Sequence, residues 1–121
     1  MGMENILKEK SFLFALRVVK LAQYLNSDKK EYVLSKQVLR SGTSIGALIC
    51  EAEYAQSKPD FIHKLSIGLK EANETYYWLR LLREGGYISE TMFNSIQPQA
   101  NELIKLLTSS INTAKKTMNS E

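Results

Sequence analysis

Residues 34–55 read "LSKQVLRSGTSIGALICEAEYA", and within them Gly42-Thr43-Ser44-Ile45-Gly46 spells G-x-S-x-G. In α/β-hydrolases that pentapeptide is a nucleophile elbow, a strained turn between a strand and a helix. Asp60 and His63 follow in the chain order those enzymes use. Here, however, Leu34, Val38, Ser41, Ile45, Leu48, Ala52 and Ala55 step alternately by four and three, the period of one helix face and not of a strand. The pentapeptide therefore lies mid-helix. No strand pattern precedes it, and in an antiparallel hairpin turning near Ser57, Ser44 faces the far end of the next helix. Asp60 and His63 sit at the near end, so no triad closes and no catalytic residue is assigned.

Packing explains the small residues better. Ser41, Gly42, Ser44, Gly46 and Ala47 are expected to face Gly68, Ala72, Asn73 and Thr75 of the following helix. Small residues on both sides let two helix backbones approach closely. Two glycines inside a helix cost about 1 kcal/mol each relative to alanine, and close contact offsets that cost. The hydroxyls of Ser41, Thr43 and Ser44 find partners in backbone carbonyls one turn back.

The same period extends outward on both sides. Before this stretch, Leu7, Phe14, Val18, Leu21 and Leu25 form one stripe, with Phe12, Ala15, Leu16, Val19 and Ala22 on adjoining faces. That arc is wider than one packing interface needs and implies burial against a neighbouring subunit as well. Asp28-x-x-Glu31 reads as a capping box for the second helix. Ser57, Pro59 and Asp60 open a third, whose stripe is Phe61, Leu65, Gly68, Ala72, Thr75, Leu79 and Leu82. Gly85-Gly86 closes it. Ser89 caps a fourth, with Phe93, Ile96, Ala100, Leu103, Leu107, Ser110 and Ala114 inward. Pro98 is expected to kink that helix or delay its start, and the polar tail from Lys115 is expected to fray. Helices over 8–26, 29–56, 58–85 and 89–117 give an all-α, up-down-up-down antiparallel four-helix bundle, one domain across 1–121.

Composition removes several function classes. One cysteine, Cys50, and one histidine, His63, leave no disulfide and no zinc cluster from this chain. Glu51, Glu71 and Glu74 raise the di-iron question, but that site needs Glu-x-x-His on two helices, and Asp60-x-x-His63 is the one such pair. No metal or cofactor is expected. Cys50 reads as a small apolar group beside the core, and Tyr76, Tyr77 and Trp78 as core plus subunit interface. The start, "MGMENILKEK", has early acid and no apolar centre, unlike a signal peptide. Arg17 and Lys20 interrupt the most apolar run too soon for a membrane span. The expectation is a cytoplasmic protein with neither a membrane nor a small-molecule substrate as partner.

The segment from Gln37 to Leu79 also resembles the signature of a bacterial four-helix-bundle family that includes the 23S rRNA intervening-sequence proteins. The run Arg40, Ser41, Ser44, Ile45, Gly46 and Glu51 is matched, then the helix start Ser57, Asp60 and Phe61, then the acidic pair Glu71 and Glu74. Gly86, Tyr87 and Ile88 complete it. Leu48 departs from the pattern, standing where many relatives carry Asn, so a polar interhelix contact is expected to be missing there. The accessory variability proteins of diversity-generating retroelements are relatives within that family. The resemblance implies a four-helix subunit of a ring-like homo-oligomer, typically a pentamer, without enzymatic activity. Some relatives bind nucleic acid and a reverse transcriptase.

Charge supplies the candidate surface. The net charge is +3 with a pI of about 9.0, yet residues 8–40 carry eight basic residues against three acidic, a net of +5. Arg17, Lys20, Lys29, Lys30, Lys36 and Arg40 are the candidate nucleic-acid contacts, and symmetric repetition in an oligomer makes such a patch multivalent. No sequence-reading module is present, so binding is expected to the backbone and shape of a structured RNA. The alternative is that these charges are solvated helix faces of a protein-binding scaffold. Arg40 has a competing partner, because Glu71 or Glu74 on the next helix is expected to pair across the hairpin either with Arg40 or with the Ser41 and Ser44 hydroxyls, in a register-fixing hydrogen bond.

Overall fold

Two serines begin helices with their side chains. Ser57 Oγ accepts the Asp60 N–H at 3.2 Å and starts α3 (Lys58–Glu84), and Ser89 Oγ accepts the Met92 N–H at 3.1 Å and starts α4 (Glu90–Ser120). Before them run α1 (Met3–Ser27) and α2 (Leu34–Glu53). The structure, a computed structural model, describes residues 3–120, with side chains from residue 5 onward. No strand occurs among the described residues. Each helix packs on the next, and α4 returns to α1 along the least extensive of the four seams. The result is the expected antiparallel four-helix bundle.

Phe14, Val18 and Leu25 of α1, Val38 and Ile45 of α2, Leu65, Leu79 and Leu82 of α3, and Leu103 and Leu107 of α4 are essentially solvent-free. Burial of such side chains, at about 1.5–3 kcal/mol each, is the main favourable term. The α3–α4 corner follows the expected glycine pattern. Gly86 takes φ +83°, and the Tyr87 and Ile88 N–H groups turn back onto the Leu82 carbonyl at 2.9 and 3.2 Å. Ile88 is thereby buried under the corner.

Several expectations are corrected. On α2 the core residue is Ile49 and not Leu48, because the helix drifts relative to a strict seven-residue repeat. The same drift buries Ile62 more deeply than Phe61 on α3 and leaves Cys50 exposed. The start of α4 is not delayed: it begins eight residues before Pro98 and runs on past that exposed proline, where the helix forgoes one N–H bond on its solvent side. It also continues past Lys115 to Ser120, with Ala114 still buried and Met118 packed on the core.

The two glycines of α2 serve a different seam from the one expected, while Ser41 meets Thr75 of α3 as expected. A Cβ on Gly42 would lie 2.8 Å from both γ-methyls of Val18, and one on Gly46 would lie 3.3 Å from Ser11 Oγ. Both glycines therefore admit α1. Toward α3, contact is made by the buried Thr75 hydroxyl, hydrogen-bonded to Ser41 Oγ at 2.9 Å. Gly68 of α3 also approaches the α2 backbone, where a Cβ on it would lie 3.9 Å from the Ile45 carbonyl oxygen.

Gly42→Ala should consequently lower stability by about 1–3 kcal/mol through overpacking, although alanine is about 1 kcal/mol better in a helix. Val18→Ala in the same chain should relieve the clash. Urea denaturation of the single and double variants decides it, and an unchanged or raised midpoint for Gly42→Ala alone would contradict the account.

Candidate nucleic-acid interface

The basic residues of the first hairpin divide into two groups. Arg17 is committed to α4: its Nη1 donates to the Ser95 carbonyl at 3.0 Å and to Gln99 Oε1 at 2.9 Å, and its Nη2 to Ser95 Oγ at 2.9 Å. Arg40 is committed to α3, with Nη1 3.2 Å from Glu71 Oε1 and Nη2 bonded to Glu74. Trp78 Nε1 also donates to Glu74 at 3.0 Å. That indole bond, opposed by partial burial and reinforced by Arg40, holds the Glu74 carboxyl below its ordinary value. The two carboxylates take Arg40 and not the serine hydroxyls, since Ser44 Oγ donates to the Arg40 carbonyl at 2.6 Å and Ser41 Oγ accepts from Thr75 at 2.9 Å.

The second group is uncommitted. Lys20, Lys29, Lys30 and Lys36 are exposed and have no ion-pair partner among the described residues. They gather toward the end of the bundle where α1 passes into α2. The turn that carries two of them is built differently from the expected capping box. Lys30 takes a left-handed φ of 53°, so the chain cannot continue from α1 into helix there. Glu31, not Asp28, then caps α2, which begins five residues later than expected. Its carboxylate accepts the N–H groups of Val33, Leu34 and Ser35 at 3.0, 2.9 and 2.7 Å. Burial raises the Glu31 carboxyl, but the three N–H donors outweigh it and leave it below the ordinary carboxylate value.

Other candidate residues hold the frame. Lys64 pairs with Glu51 at 3.1 Å and Lys8 with Glu53 at 2.9 Å. Asp60 accepts the Gln56 N–H at 3.2 Å and makes no bond to His63, which is exposed. No group of three potential metal ligands occurs among the described residues, and none of their helices is long and apolar enough to cross a membrane. Tyr76 packs on Phe93 with ring centres 6.5 Å apart, and Arg83 lies 3.9 Å above the same ring. Tyr77 is half-exposed and edge-on to Trp78. Lys105, Lys115 and Lys116 on the outer face of α4 are also exposed and unpaired. They escaped the sequence reading because they lie outside the charge-dense first hairpin.

The Arg-Ser-x-x-Ser-Ile-Gly run and the Glu71–Glu74 pair thus meet across the α2–α3 seam, while Ser57 caps the start of α3. The family model described as 23S rRNA-intervening sequence protein matches residues 3–109. The chain belongs to that family. It is also similar to a solved structure from Bacteroides thetaiotaomicron VPI-5482, a protein of unknown function from the S23 ribosomal protein family. The two share 54% identity over 92% of this chain and 99% of that one, with a TM-score of 0.90. No curated protein matches. In this intervening-sequence family member, Arg40 clamps α2 to α3, Gly46 admits α1, and Ser57 starts α3. Its motif is accounted for by assembly of the bundle.

Because the folded Glu31 carboxyl lies below its unfolded value, its stabilisation is fully present above the unfolded pKa. It is lost as pH falls through the folded one. Glu31→Ala should cost about 2 kcal/mol at neutral pH by uncapping α2, with the gap to the parent closing in acid. Thermal unfolding of both proteins across pH 2–7 (an acid-to-neutral span of roughly the carboxylate range) checks this, and a pH-independent gap would refute the cap.

Proposed function

We propose that this chain is a non-enzymatic adaptor that assembles with copies of itself and binds structured nucleic acid. The partner is an RNA or RNA/DNA hybrid, alone or carried by a nucleic-acid enzyme such as a reverse transcriptase. The carrying observation is the set of four exposed, unpaired lysines, Lys20, Lys29, Lys30 and Lys36, gathered toward one end of a rigid bundle. Unpaired ammonium groups exchange bound counterions for phosphates at no cost of breaking an ion pair. Membership of an rRNA-linked family supports the reading.

Self-assembly supplies multivalency. Phe12, Leu13 and Leu16 on the outward face of α1 are 63%, 51% and 45% exposed, an apolar strip that water disfavours. A ring, of five copies as the family resemblance implies, covers this strip and repeats the lysines around an axis. The interface then amplifies a modest charge into an avid one.

Fluorescence anisotropy of a labelled structured RNA, taken as a salt series, tests the binding. Lys29→Ala/Lys30→Ala/Lys36→Ala should weaken it at least tenfold and reduce the salt slope by about three, one per lost phosphate contact. Arg17 is unsuitable for this purpose because its removal unpicks α1 from α4. Flat or millimolar binding by the parent chain would favour the protein-binding scaffold instead.

Phe12→Glu/Leu16→Glu should convert the assembly to a folded monomer in native mass spectrometry with unchanged helix content. An oligomer that survives the pair of substitutions would place the interface elsewhere.

A further inference from the structure

At the end of the bundle opposite the α1–α2 turn, the start of α1, the end of α2, the start of α3 and the end of α4 converge. They leave a partly open cleft of about 600 Å³. Its wall takes Phe61 from α3 and the Ala52 methyl from α2, and from α4 the Ala114 methyl with the hydroxyl residues Ser110, Thr113 and Thr117. The size is that of a site for a small organic molecule.

Ser110 marks it as more than a surface dent. The residue is 8% exposed, and its Oγ is buried with no hydrogen-bond partner among the described residues. Other hydroxyls on the same helix do not behave in this way. Thr108, Thr117 and Ser120 each donate to the carbonyl four residues back, at 2.8, 3.0 and 2.9 Å. Ser110 has the same option in sequence and leaves it unused, keeping a donor and two lone pairs covered just behind the lining that the residue contributes to. A buried polar group without a partner costs stability, so native chains rarely keep one without a reason.

Charge narrows the ligand. Of the charged residues in the lining, Glu53 is paired with Lys8 at 2.9 Å and Lys58 is itself engaged, and the Asp60 carboxylate nearby accepts the Gln56 N–H. Around them the lining mixes hydroxyls with an aromatic ring and methyls, which suits a molecule with one polar edge and one apolar face.

We infer that this cleft binds a neutral, hydroxylated ring compound, its ring hydroxyls on Ser110 and Thr113 and its apolar face on Phe61. The ring is the sugar of a nucleoside or a free monosaccharide. The site is separate from the lysines at the other end and does not depend on nucleic-acid binding.

Amide NMR spectra of the full chain, titrated with adenosine, uridine, ribose and glucose to about 10 mM, test the inference, since even a millimolar site fills at that concentration. At least one compound should shift amides of residues 52–61 and 110–117, and nucleosides outdoing ribose and glucose would identify the first source. Ser110→Ala should weaken that ligand about tenfold, the loss of one hydrogen bond. It should leave the melting temperature of the unliganded protein unchanged or higher, because an unpaired hydroxyl has been removed. Three results would overturn the inference: no compound binds, leaving a water-filled cleft only; binding is indifferent to Ser110→Ala; or that variant alone melts lower, making the hydroxyl structural.

Discussion

The methyls of Val18 occupy the space that a side chain at position 42 would need. Most of the fold depends on that contact, because it sets how closely α1 and α2 lie. With Gly42 as a bare backbone, α1 sinks until Val18 is fully buried, and Ser11 comes to rest over Gly46 one turn further along. Phe14, between them on α1, is then carried into the centre of the bundle. A larger residue at 42 moves α1 outward and opens the core along its whole length, since close-packed interiors transmit such displacements instead of absorbing them.

Polar contacts then fix the register of surfaces already brought together. The Thr75–Ser41 hydroxyl pair is buried between α2 and α3 and is satisfied there, with the Glu71 carbonyl 2.8 Å from Thr75 Oγ1 as a further acceptor. One turn outward, Arg40 spans Glu71 and Glu74. Half-exposed ion pairs contribute little stability singly, but an arginine held by two carboxylates one helical turn apart defines a single alignment. Arg17 does the corresponding work between α1 and α4 with neutral partners, on a seam that also carries the Lys10–Glu102 ion pair at 3.3 Å.

Much of this was legible in the sequence because helical period, serine caps and paired glycines are local signals. The four segments, the caps at Ser57 and Ser89 and the Gly85-Gly86 corner all follow from them. The departures have physical causes that no short window contains. A seven-residue repeat drifts on a straight helix, which is why Ile49 and Ile62 replaced Leu48 and Phe61 in the deepest layer. Asp28-x-x-Glu31 has the letters of a capping box, yet the left-handed turn at Lys30 hands the capping to the glutamate. The glycines of α2 announced close approach but not which neighbour would make it. At the candidate interface, sequence identified where positive charge is dense. Only the folded chain separates Arg17 and Arg40, held by neighbouring helices, from lysines that face solvent.

The weak α1–α4 seam has a dynamic meaning. An up-and-down bundle has three seams joined by short turns and a fourth that must close without one. Here that fourth seam is also the least extensive, and the cleft lined by Ser110 lies at one end of it. Partial unfolding in such a molecule is expected to begin with α4 swinging away from α1 while remaining hinged on α3. Backbone amides of α4 would then exchange with solvent deuterium before those of α2, which is clasped on both sides. The bundle therefore has an opening edge, and a molecule seated in the cleft would act as a latch on it.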